Sequence, residues 1–206
     1  AAYSNLGNIL RELGNIQEAE LSYRKAIEIK PNFAKAYSNL GSTLNELGKL
    51  KEAEISLRKS IELNPGFGQA HSNLGNILDE LGNFKEAKDS WIKAIELEPN
   101  IKGLIEQLAR RLYLDRQYNL AIKYLRKDKS DNCQSLYLSC LLCLNQEQEF
   151  DQKYQELSSK GIINAEISSI IEHANAVYGT SKESHFCNQA INYVFIDKIN
   201  KELFSE

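Results

Sequence analysis

Seven side chains of the kinds that hold metals or do redox chemistry stand in the chain: His71, His173 and His185, with Cys133, Cys140, Cys143 and Cys187. A metal centre built from His173, His185 and Cys187 needs a fourth ligand and a fold that gathers them. Cys140 and Cys143 form a Cys-x-x-Cys inside the apolar run Leu138 to Leu144. A reactive thiol wants a helix N-terminus or polar neighbours to lower its pKa, so both are expected as buried, inert core residues. The glycines stand singly rather than in a phosphate-cradling loop. Glu18, Glu20, Glu52 and Glu54 read as solvated helix faces, and no Ser-His-Asp arrangement stands out. The expectation is a chain without catalytic residues, metal or cofactor, and not an enzyme.

What recurs instead is the carboxamide. Asn5, Asn39 and Asn73 each precede a Leu-Gly pair, 34 residues apart. Three residues later come Asn8, Ser42 and Asn76, and a turn further Glu12, Glu46 and Glu80. Lys35 and Gln69 lie in the same row. Asparagine has poor helix propensity, so its return in one mid-helix slot calls for a reason. A passive copy of a duplicated repeat is the alternative.

The elements that position these residues follow from the same shift. Leu13-Gly14, Leu47-Gly48 and Leu81-Gly82 coincide, as do Glu18-Ala19, Glu52-Ala53 and Glu86-Ala87, then Tyr23, Leu57 and Trp91, and Pro31, Pro65 and Pro99. Tyr3, Leu6, Leu10 and Leu13 make one helical stripe, closed by Gly14 where a left-handed cap is wanted. A second stripe runs through Ile16, Ala19, Tyr23, Ala26, Ile27 and Ile29 until Pro31 stops it. Gly7, Ala19 and Ala26 let the two helices approach. Neither helix buries its face alone, so neighbouring pairs must stack. His71 falls in the slot of Tyr3 and Tyr37 and reads as a packing residue.

These residues resemble the tetratricopeptide repeat, whose signature places an aromatic, Leu-Gly, Ala, an aromatic, Ala and Pro at these offsets. The resemblance implies an all-α, right-handed superhelical solenoid of antiparallel helix pairs with degenerate C-terminal repeats or a cap. It sets an array over 1–127, with regular repeats 1–32, 33–66 and 67–100 and a degenerate fourth at 101–127. Residues 128–206 are expected as a helical extension, a degenerate fifth repeat plus capping helices. Helices are expected near 102–114, 118–127, 133–144 and 147–158, and from an Asn164 cap to Tyr178. The tail from Ser184 to Phe204 is expected to pack back as one or two more.

The resemblance also places Asn5, Asn39 and Asn73 on the concave side, similar to the asparagine ladder of the array in O-linked N-acetylglucosamine transferase. It implies a scaffold that binds a protein or extended peptide in the groove. Chaperone-binding members hold a peptide C-terminus with Lys or Arg on the third repeat's first helix. The matching slots here are Gln69 and Asn73, and Lys35 alone offers a cation, so such a clamp is not expected. A second reading makes the chain the recruiting region of a larger enzyme, such as a glycosyltransferase, a sulfotransferase or an iron/2-oxoglutarate oxygenase. The chain holds no methionine, which fits an excised fragment. A third reading is self-association through the first helix, whose apolar edge has no preceding repeat to cover it.

Composition bounds the partners. A net charge of -3 over 206 residues gives no basic face for nucleic acid. No apolar run reaches the length of a membrane span. The first 132 residues lack cysteine, unlike a stapled secreted framework, so a reducing compartment, the cytoplasm, is expected.

Overall fold

The computed structural model describes residues 2–178, which are helical throughout apart from turns and short loops. The expected capping helices of the tail, with His185 and Cys187, lie outside the described residues. Among the described residues there are eleven helices and no strand. None is long and apolar enough to cross a membrane. The chain divides into two compact units, 1–104 and 105–206.

The first unit stacks three helix pairs: α1 (Ala2–Glu12) with α2 (Ile16–Ile29), α3 (Ala34–Glu46) with α4 (Leu50–Leu63), and α5 (Gly68–Glu80) with α6 (Phe84–Leu97). Each first helix packs on its own second helix, and each second helix packs on the next first. The close approach rests on one glycine per pair. A Cβ on Gly7 would lie 2.7 Å from the Tyr23 ring, one on Gly41 2.6 Å from Leu57, and one on Gly75 2.4 Å from Trp91. Trp91 is 3% exposed, buried as its register requires. Gly14, Gly48 and Gly82 close the first helices with φ of +80°, +71° and +78°. Behind Gly14 the Asn15 N–H donates to Leu10 O at 2.8 Å, and the Gly14 N–H to Arg11 O at 3.0 Å, a Schellman closure.

The second unit holds the remaining helices, α7 (Leu104–Leu114) from its second residue onward, α8 (Tyr118–Leu125), α9 (Asp131–Cys143), α10 (Glu147–Ser159) and α11 (Ala165–Tyr178). They follow the expected ranges within a few residues. The Ile167 N–H donates to Asn164 Oδ1 at 2.9 Å, so Asn164 caps α11. In α7 and α8 the slots of the close glycine and the large residue hold Ala109 and Leu125, both buried. The cap slot that three glycines occupy upstream holds Arg116 at φ 58°, with the same closing bond, Gln117 N–H to Leu112 O at 2.8 Å. The centre of this unit is α9, buried from Cys133 through Leu141 and flanked by α8, α10 and α11.

Candidate functional site

The recurrent polar row lies on α1, α3 and α5, and every member reaches solvent. Asn5 is exposed; Asn39, Asn73, Asn8, Ser42 and Asn76 are half-buried; Glu12, Glu46 and Glu80 are exposed, as are Lys35 and Gln69. The stacking of pairs brings the row together and also uses part of its bonding capacity. Asn39 Nδ2 donates to Asn8 Oδ1 at 2.8 Å, and Asn73 Nδ2 donates to Ser42 Oγ at 2.7 Å. Asn39 and Asn73 thus each tie their helix to the pair before it.

The second rank of the row is anchored to the core. Tyr23 Oη donates to Asn8 Oδ1 and Trp91 Nε1 donates to Asn76 Oδ1, both at 2.8 Å. An indole N–H only donates, so Asn76 must turn its oxygen inward and its amide N–H groups toward solvent. In the middle pair the large residue is Leu57, which has no donor, and the facing residue is Ser42, whose hydroxyl donates to Ser38 O at 3.2 Å. Within the three repeats asparagine stands where the large residue carries a donor, and serine where it does not. Asn8 and Asn76 are therefore first of all partners of the buried aromatics.

What remains for a ligand is graded along the row. Among the described residues nothing bonds the Asn5 carboxamide, so its oxygen and both N–H groups are free. Asn39 keeps its oxygen and one N–H. Asn73 keeps one N–H, and its oxygen already accepts from Gln69 Nε2 at 2.9 Å. The three sites are not equivalent, unlike the uniform grip that the repeated sequence suggests.

The three carboxylates also differ. Glu46 accepts from Arg11 Nε at 2.7 Å and is neutralised by it. Sequence reasoning missed Arg11 because its slot holds Asn45 and Asp79 in the next two repeats. Glu12 and Glu80 have no ion pair among the described residues, and Lys35 has none either. The exposed end of α1 and the exposed end of α5 therefore keep the negative charge.

The residues set aside as non-catalytic fall in separate places. His71 is half-buried and its Nε2 lies 3.0 Å from Pro65 O, a packing position with a backbone partner. His173 is exposed on α11. Among the described residues no group of three metal-binding side chains converges. The cysteine expectation needs one correction. Cys140 is buried, and burial pushes its thiol up to about 12, but Cys143 is exposed. It is the last residue of α9, where the helix leaves the core, and its Sγ lies 3.6 Å from Tyr113 Oη.

Residues 7–48 match the model of the TPR repeat, and residues 34–67 and 68–101 each match that of the tetratricopeptide repeat. These matches span just under half of the chain, and the helix pairs there stack as a helical solenoid. The structure is similar to the first TPR of Spaghetti (RPAP3) bound to the HSP90 peptide SRMEEVD, at 26% identity and a TM-score of 0.53, over 55% of this chain and 90% of that one. No curated protein matches the chain. Neither the family matches nor this neighbour singles out the array of O-linked N-acetylglucosamine transferase.

Proposed function

We propose that the chain is a protein- or peptide-binding scaffold whose ligand lies extended along α1, α3 and α5 and is held by Asn5, Asn39 and Asn73. The observation that carries this reading is the solvent-facing carboxamide repeated on three stacked helices with bonding capacity left over. A carboxamide offers one acceptor and two donors, so it can meet the N–H and C=O of a peptide unit together. Such a grip ignores side chains. Selection would fall to charge, and Glu12 and Glu80 favour ligands with Lys or Arg at the two ends of the row. The neighbour's peptide carries two Glu and one Asp. Here Gln69 and Asn73 replace the cations such a tail would want, so we assign this groove a neutral or basic ligand. The reading holds whether or not a catalytic domain shares the polypeptide.

Asn39→Ala and Asn73→Ala each remove a bond between helix pairs as well as a ligand contact, whereas Asn5→Ala removes only the latter. The test is therefore paired. An Asn5→Ala chain should keep its unfolding midpoint and lose about 2- to 13-fold in peptide affinity, one hydrogen bond's worth. The triple Ala variant should lose roughly tenfold or more while its helical circular dichroism persists. Unchanged binding by both variants would mean the ligand uses another face.

A further inference from the structure

Beside the ladder runs a second rank of polar side chains, Asn8 on α1, Ser42 on α3 and Asn76 on α5, and the core dictates what each can offer. The buried Trp91 donates its indole N–H to Asn76 Oδ1 at 2.8 Å. An indole nitrogen cannot accept, so a flipped Asn76 would bury two donors face to face and forfeit the bond. The carboxamide is therefore held with its oxygen toward the core and its amide hydrogens outward. No described residue accepts from them.

Asn8 is held the same way from two sides. Its oxygen accepts from Tyr23 Oη and from Asn39 Nδ2, both at 2.8 Å, which occupies both lone pairs and leaves two N–H groups. Ser42, between them, has given its hydrogen to Ser38 O and accepts from Asn73 Nδ2. The rank thus offers amide hydrogens at its two ends and none at its centre. The ladder differs, since Asn5 and Asn39 keep an oxygen as well as an N–H.

We propose that Asn8 and Asn76 are two carbonyl-recognition subsites, positioned by Tyr23 and Trp91, that take only acceptor oxygens of the ligand. The proposal rests on the ladder as the ligand's track and adds a polarity to it. A ladder carboxamide can meet both ends of a peptide unit, whereas these two meet only its C=O. Two steps of packed helices separate them, roughly 16–20 Å, which an extended chain covers in about five or six residues. Charge narrows the acceptor. Glu12 and Glu80 each lie one turn beyond, without an ion pair among the described residues, so an anionic oxygen is repelled and a neutral peptide or amide C=O fits.

The test titrates the full chain with an end-blocked twelve-residue peptide of Gly, Ser and Thr, which has no charge of its own to titrate. Asn76→Asp keeps an oxygen for the indole and sets a second oxygen where the amide hydrogens stood. Affinity should fall at least about 2- to 13-fold at neutral pH. It should recover in acid, where the introduced carboxyl is protonated and donates again, a rise the parent lacks. Leu57→Trp with Ser42→Asn copies the third pair's lock into the second. Gly41 stands against Leu57 as Gly75 stands against Trp91, so the indole has its slot. This double variant should bind about 2- to 13-fold tighter than the parent, and Ser42→Asn alone, free to turn either end outward, should gain less. Three results overturn the proposal: Asn76→Asp binding like the parent at neutral pH, a loss that acid does not restore, or a double variant without gain. Failure of the ladder itself reads differently, because the triple Ala variant at Asn5, Asn39 and Asn73 would then bind like the parent. If only the subsites fail, that triple variant stays weakened while the changes at Asn76 and Ser42 leave affinity unmoved.

Discussion

Asparagine and serine weaken a helix interior by competing for its backbone, and the three repeats place them there in a pattern that follows the core. Tyr23 bonds Asn8 and Trp91 bonds Asn76, while the repeat with donorless Leu57 has Ser42 in the same slot, bonded to its own helix. Those polar groups are therefore part of the packing as much as of the surface, which repetition alone could not reveal. Burial of the aromatic and its hydrogen bond can be separated by mutation. Trp91→Ala opens a cavity against Gly75 and should cost about 3–5 kcal/mol. Tyr23→Phe removes only the hydroxyl and should cost about 0.5–1.5 kcal/mol. Urea unfolding measures both. A Trp91→Ala loss under about 1 kcal/mol contradicts the observed burial.

The helix pair is the unit the sequence spells most clearly, because its glycine, its large residue and its cap each have one physical job. Gly7, Gly41 and Gly75 admit a neighbour that any Cβ would strike, and the left-handed residues at 14, 48 and 82 turn the chain between helices. The expected ranges of α7 to α11 therefore came within a few residues even where these signals fade. Position along a helix was harder to read. The apolar run Leu138 to Leu144 suggested two buried cysteines, but α9 ends at Cys143 and its last turn leaves the core. Reactivity should follow that boundary. In a Cys187→Ser chain a thiol reagent should label Cys143 in the folded state. Cys140 and Cys133, pushed up by burial to about 12 and about 11, should react only on unfolding. Mass mapping of the labelled peptides decides it, and equal labelling of Cys140 and Cys143 contradicts the assigned burial.

At the scale of the whole array, function depends on how many stacked helices a ligand can reach. Packed helices sit roughly 8–10 Å apart and an extended chain advances about 3.3–3.6 Å per residue. One ladder asparagine then meets roughly every third peptide unit. The sequence disclosed this periodic row, but not that Asn73 shares its oxygen with Gln69 or that Glu46 is spent on Arg11, since both partnerships come from unrepeated residues. Each contact should contribute about 0.5–1.5 kcal/mol net, or about 2- to 13-fold in affinity. Lengthening an extended, weakly basic peptide to reach a second and then a third asparagine should tighten binding stepwise. The step onto Asn73 should be the smallest, because its carboxamide is the most committed. Added salt should weaken basic peptides more than neutral ones, through screening of Glu12 and Glu80. Fluorescence polarisation over such a series reads all three trends. An affinity that stays flat beyond the length reaching one asparagine would show that the ligand contacts a single repeat.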